Sequence, residues 1–86
     1  MQVLSLTTDF GDRDGYVGVM KGVISGIISD VQMIDISHQV TRQDVFHGAL
    51  VVKENVFYFP EGTVHLVVVD PGVGTERRPI AARIGG

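Results

Sequence analysis

The sequence predicts an α/β fold, a layered and mostly parallel sheet with flanking helices, and three observations lead to it. Apolar segments at Val3 to Thr8, Val31 to Ile36 and Val64 to Val69 have the length and β-branched content of strands. Between them lie stretches in which apolar residues recur at helical spacing. The unbroken run Val67-Val68-Val69 suits a strand covered on both faces, as parallel strands are. The order β-α-β-α-β-β then argues for a parallel core with right-handed crossovers, and 86 residues allow one such unit.

Taken in order, the first strand is ended by the turn signal Asp9-Phe10-Gly11. Asp14 is placed to cap a helix beginning near Gly15, because its carboxylate can accept from an exposed backbone N–H. Tyr16, Val19, Met20, Val23, Ile24 and Ile27 follow the spacing of one apolar helix face. Gly18, Gly22 and Gly26 form a second row, and each glycine costs up to about 1 kcal/mol against alanine in a helix interior. Close packing of that row on a sheet or a neighbouring helix is the expected reason for it.

After the strand at Val31 to Ile36, Ser37-His38-Gln39 leads outward. Thr41-Arg42-Gln43-Asp44 fits a capping box, with Thr41 as N-cap and Asp44 reaching back. Val45, Ala49 and Val52 carry an apolar helical face to about Lys53. An aromatic connection, Asn55 to Gly62, precedes the strand at Val64 to Val69, and Ile80 to Ile84 is a further strand.

Composition narrows the function. The apolar fraction of 44% is that of a globular chain. The formal net charge is −3 and only Arg77-Arg78 pair among the cationic residues, so no nucleic-acid footprint is present. With no cysteine there is neither a disulfide framework nor a thiolate metal site. No basic leader precedes the first strand, and a cytoplasmic location is the expectation. Tyr16 to Ile28 is interrupted by Lys21 and three glycines and falls short of the roughly 20 residues that span a bilayer, so no membrane insertion is expected.

Two segments carry the chemistry. Leu6-Thr7-Thr8-Asp9-Phe10-Gly11-Asp12-Arg13-Asp14-Gly15-Tyr16 and Val67-Val68-Val69-Asp70-Pro71-Gly72-Val73-Gly74-Thr75-Glu76-Arg77-Arg78 each run from strand to acid to glycine. Ligands of parallel sheets bind outside the carboxyl ends of the strands, so Asp9 and Asp70 are candidates for one site. Asp-Pro-Gly is equally a turn opener, and spacing alone does not separate the two readings. Arg77 can fold back towards Asp70. Asp9, Asp12 and Asp14 admit a divalent metal, although their spacing lacks the EF-hand pattern. Gly72-Val73-Gly74 is too short for a phosphate loop. His38, His47 and His65 are each read as structural rather than catalytic, with pocket lining open for His38.

These segments, with Lys21-Gly22-Val23-Ile24, Ile34-Asp35-Ile36-Ser37-His38 and Phe59-Pro60-Glu61-Gly62-Thr63-Val64-His65, resemble the S-adenosyl-L-methionine (SAM) hydrolases. That family is also called the SAM hydroxide adenosyltransferases and is related to fluorinase and chlorinase. The resemblance implies a Rossmann-like N-terminal SAM-binding domain over residues 1–86, a fragment without the C-terminal β-rich domain of longer members. It implies that Asp70 and Arg77, with a histidine beyond residue 86, position water for attack on ribose C5′. Asp9 would accept from the ribose hydroxyls, and Asp14, Tyr16, Gln43 and Val73 would line the substrate pocket. No metal or organic cofactor is implied, SAM being the substrate, and the full-length protein is expected to be a homotrimer. A halide-using activity is disfavoured, because Asp70 stands where fluorinases carry tyrosine and a carboxylate repels a halide. Two alternatives remain: a non-catalytic adenosine- or SAM-binding fragment, and a metal-dependent nucleoside hydrolase-like domain.

Overall fold

The computed structural model describes residues 1–11 and 15–69, together with the backbone of residues 80–83. Four strands form one sheet: β1 (Gln2–Thr8), β2 (Val31–Ser37), β3 (Val64–Val68) and β4 (Ile80–Arg83), in the order β2-β1-β3-β4. β1 pairs with both β2 and β3 in parallel, and β4 closes the other side of β3 in antiparallel. The parallel core expected from the apolar runs is present, with an antiparallel fourth strand at its edge. β1 is central and covered on both faces, so Leu4, Ser5, Leu6, Thr7 and Thr8 are all buried.

Strand alternation assigns the faces. Ser5 lies beside His65 and Thr7 beside Val67, while Leu6 lies beside Leu66 on one side and Asp35 on the other. Helix α2 (Val45–Asn55) covers the first set: a Cβ built on Gly48 would meet the side chains of Val69, Val67 and Val40. Helix α1 (Tyr16–Ile27) belongs to the opposite face, where Lys21 bonds Asp35 at 2.9 Å. Opposite faces are what right-handed crossovers require when one steps outward from β1 and the next steps back across it.

Several local expectations are corrected. The second helix begins four residues after Thr41: Asp44 is its N-cap and its carboxylate accepts from the His47 N–H at 2.9 Å. Thr41 instead closes a turn, its carbonyl accepting from the Asp44 N–H. The helix cannot start at Thr41 because Gln43 has φ of 65°, a left-handed backbone. In α2 the buried stripe is Gly48 and Val52, continued by Val56 in the short 3₁₀ turn Val56–Tyr58, whereas Val45 and Ala49 are exposed.

In α1 no residue is buried, and the Tyr16, Val19, Val23 and Ile27 stripe points outward. Its partly covered side is Val17, Met20, Lys21 and Ile24. The glycine row packs on nothing among the described residues, since a Cβ on Gly18, Gly22 or Gly26 would meet no atom within 4 Å. Gly15 occupies the N-cap of α1 with φ of 70°, without a side-chain cap. The expected cap, Asp14, lies outside the described residues.

Candidate functional site at the carboxyl end of β1

β1 and β3 are neighbours whose onward connections diverge, one to β2 and the other to β4 on the far side. Such a divergence opens a crevice at the carboxyl ends of parallel strands. The cleft at this end of the sheet lies on the β2 side of β1 and has a volume of about 350 Å³. One wall is Asp9 to Gly11, which follows β1, and the other is His38 to Val40 with Arg42, which follows β2.

Backbone hydrogen bonds lock the two walls together. The Gly11 N–H donates to the His38 carbonyl at 2.7 Å and the Val40 N–H to the Thr8 carbonyl at 3.2 Å. The Asp9 N–H in turn reaches the Val68 carbonyl of β3 at 3.3 Å. Gly11 needs its φ of 63°, a conformation that favours glycine.

Asp9 is 9% exposed, and its Oδ2 accepts from the Gln43 backbone N–H at 2.9 Å. The left-handed backbone of Gln43 aims that N–H, and strain held at one non-glycine residue is a mark of a functional loop. Oδ1 has no hydrogen-bond partner among the described residues, which leaves an acceptor beside the cleft. Gln43, expected to line the pocket, thus meets Asp9 through its main chain. Tyr16 is half-exposed and packs edge-on against Phe10, with ring centroids 6.0 Å apart. Asp14, Asp70, Val73 and Arg77 lie outside the described residues, as does Asp12. Among the described residues no three His, Asp or Glu side chains converge as metal ligands.

Behind the cleft lies a row of polar groups that pattern reading did not assemble. Thr8 Oγ1 meets His38 Nδ1 at 2.7 Å, and His38 Nε2 meets Asp35 Oδ1 at 2.8 Å. Lys21 Nζ donates to Asp35 Oδ2 at 2.9 Å. Burial pushes the Asp35 carboxyl up, but hydrogen bonds from Lys21 and His38 and their charge outweigh it, so its pKa lies below the ordinary value. The opposite sheet face holds His65, fully buried, bonded through Nδ1 to the Ser5 hydroxyl and with Phe59 edge-on. Burial lowers its pKa. Arg42 was likewise not foreseen at the cleft; its signal was only its place in the loop before α2.

Residues 4–86 match the family described as SAM hydroxide adenosyltransferase N-terminal domain. The chain belongs to this family. It is 45% identical over 84 residues to the (R)-S-adenosyl-L-methionine hydrolase of Methanocaldococcus jannaschii, covering 93% of this chain and 32% of that protein. Against the enzyme of the same name from Salinispora tropica the identity is 46%, covering 95% and 31%. A fluorinase from an Actinoplanes species is 34% identical, covering 95% and 28%. The crystal structure of a conserved hypothetical protein from Thermus thermophilus superposes with a TM-score of 0.77 at 41% identity, covering 91% of this chain and 33% of that one. The chain therefore spans about a third of the length of the SAM hydroxide adenosyltransferase relatives it matches.

Proposed function

We propose that this chain is the N-terminal substrate-binding part of a SAM hydrolase, which cleaves SAM to adenosine and L-methionine. The observation that carries the reading is Asp9, at a diverging strand end in a chain of this family, with one carboxylate oxygen held by Gln43 and the other beside the cleft. A carboxylate so held is an acceptor suited to the two hydroxyls of a ribose. The greater identity to SAM hydrolases than to the fluorinase supports water rather than halide as the nucleophile.

In the reaction, the water oxygen forms a bond to C5′ as the C5′–S bond breaks. The bonding pair passes to sulfur, which leaves as the neutral thioether of methionine, and the water's extra proton passes to bulk solvent. The catalytic demand is alignment and partial desolvation of water opposite the sulfonium. Asp70 and Arg77 are assigned that alignment and Asp9 the ribose, with Asp14, Tyr16, Gln43 and Val73 completing the pocket. The reaction as written needs neither metal nor organic cofactor. We further propose a cytoplasmic homotrimer; no described helix is long and apolar enough to cross a membrane.

The test is adenosine release from SAM by the full-length protein, measured beside calorimetric SAM binding. Asp70→Asn is expected to abolish release and keep binding, and release should survive exhaustive chelation. Wild-type release by Asp70→Asn would remove that residue from the mechanism. Loss of activity in EDTA, restored by Mg²⁺ or Ca²⁺, would favour the nucleoside hydrolase-like reading. SAM binding without turnover by the wild type would favour a binding module.

A further inference from the structure

We infer that Thr8, His38, Asp35 and Lys21 form a positioning chain, which fixes the turn at the end of β1 and so sets the aim of the Asp9 carboxylate in the cleft. The inference rests on the ribose-binding reading of Asp9 for its ligand, and on the hydrogen bonds alone for its geometry.

The donors and acceptors assign themselves in one direction. His38 Nε2 faces a carboxylate and donates to it, and in the neutral tautomer this leaves Nδ1 as an acceptor. Thr8 then donates its hydroxyl proton to Nδ1, and Thr8 Oγ1 accepts from the Phe10 N–H at 3.2 Å. This last bond closes Thr8-Asp9-Phe10 into a tight turn with Asp9 at its centre. Because the His38 carbonyl also holds Gly11, one residue grips both ends of the segment that carries Asp9. Lys21 ties the far oxygen of Asp35 to α1, so the chain runs from the outer helix through β2 to β1.

A hydroxyl, an imidazole and a carboxylate in a row invite comparison with a hydrolytic triad, but the arrangement excludes it. In that triad Nε2 faces the nucleophile and Nδ1 the carboxylate. Here the two nitrogens are exchanged, and Thr8 is fully buried with its oxygen already accepting a backbone N–H. The group acts on Asp9 and not on substrate.

The experiment compares Thr8→Val, which removes the hydroxyl at nearly constant shape, with Thr8→Ser, which restores it. Two readouts are taken: the chemical shift of the Gln43 amide, which reports its bond to Asp9, and calorimetric affinity for adenosine beside 2′,3′-dideoxyadenosine. Thr8→Val should move the Gln43 amide upfield and weaken adenosine about tenfold, the effect of roughly one lost hydrogen bond. Dideoxyadenosine, which offers Asp9 no diol, should change within about twofold, and Thr8→Ser should return both readouts to wild type. Asp35→Asn, at a side chain 43% exposed, covers the case in which Thr8→Val fails to fold, and should move the same amide. An unmoved Gln43 amide in the folded variants, or equal loss for both nucleosides, overturns the inference. No adenosine binding by the wild type defeats the ribose reading instead, and the amide shift still decides the positioning.

Discussion

Helix α2 meets the sheet through a glycine, whereas α1 turns its three glycines away from it. At Gly48 a Cβ would stand 3.1 Å from Val69 and 3.3 Å from Val67, so the missing side chain is what lets the helix approach. At Gly18, Gly22 and Gly26 the same atom would meet nothing within 4 Å. The helix starts differ in the same sense, Asp44 capping α2 with its carboxylate and Gly15 giving α1 no side-chain cap. Spacing of glycines along a helix therefore does not say which way they face; the strand residues opposite do.

The largest break in that contrast should come from Gly48→Leu. Overpacking this contact is expected to destabilise by about 1–3 kcal/mol, or more if α2 is displaced, read from the urea midpoint. An unchanged midpoint would mean that α2 is not seated as described.

The α2 face also carries a pH dependence. Burial holds His65 neutral in the folded state, with its pKa below the unfolded value. Above the unfolded pKa both states are neutral and nothing changes. As pH falls through it the unfolded chain gains a proton that the folded chain refuses, and stability drops by up to about 1.4 kcal/mol per pH unit. The loss stops growing once pH passes below the folded pKa. His65→Asn should flatten the slope of stability below roughly pH 6.5, measured by denaturant titration.

Removing the cap by Asp44→Ala should cost about 1 kcal/mol. The smallest effect is expected at Gly22→Ala, a gain of up to about 1 kcal/mol from helix propensity, seen as a raised Tm. A lowered Tm there would show that this face of α1 is covered in solution, which would sharpen the contrast into one between an inner and an outer contact.

The strands were legible as short apolar segments bounded by turn residues, although only β1 is buried on both faces, and the parallel order followed from the helical stretches between them. The sidedness of α1 was not, since Tyr16, Val19 and Val23 are apolar yet outward, and Lys21 sits on the covered side. Thr41 and Asp44 both offer capping chemistry, and the choice fell to the φ of Gln43, which no residue pattern announces. At the site, Asp9 was readable from its place after an apolar run. Its partners were not, because Thr8, Asp35 and His38 meet across strands and a backbone N–H has no letter in the sequence.

The central position of β1 also has a consequence for folding kinetics. The strand precedes the other three in the chain, and Ser5 meets His65 across 60 residues. At about 5–20 residues per second, β1 waits several seconds on the ribosome for β3, with only β2 able to pair earlier. Non-local pairing of this kind slows folding and leaves an apolar strand edge unsatisfied meanwhile. The walls of the cleft, joined by bonds between the segments after β1 and β2, need no residue of β3, whereas the bond from the Asp9 N–H to the Val68 carbonyl requires it.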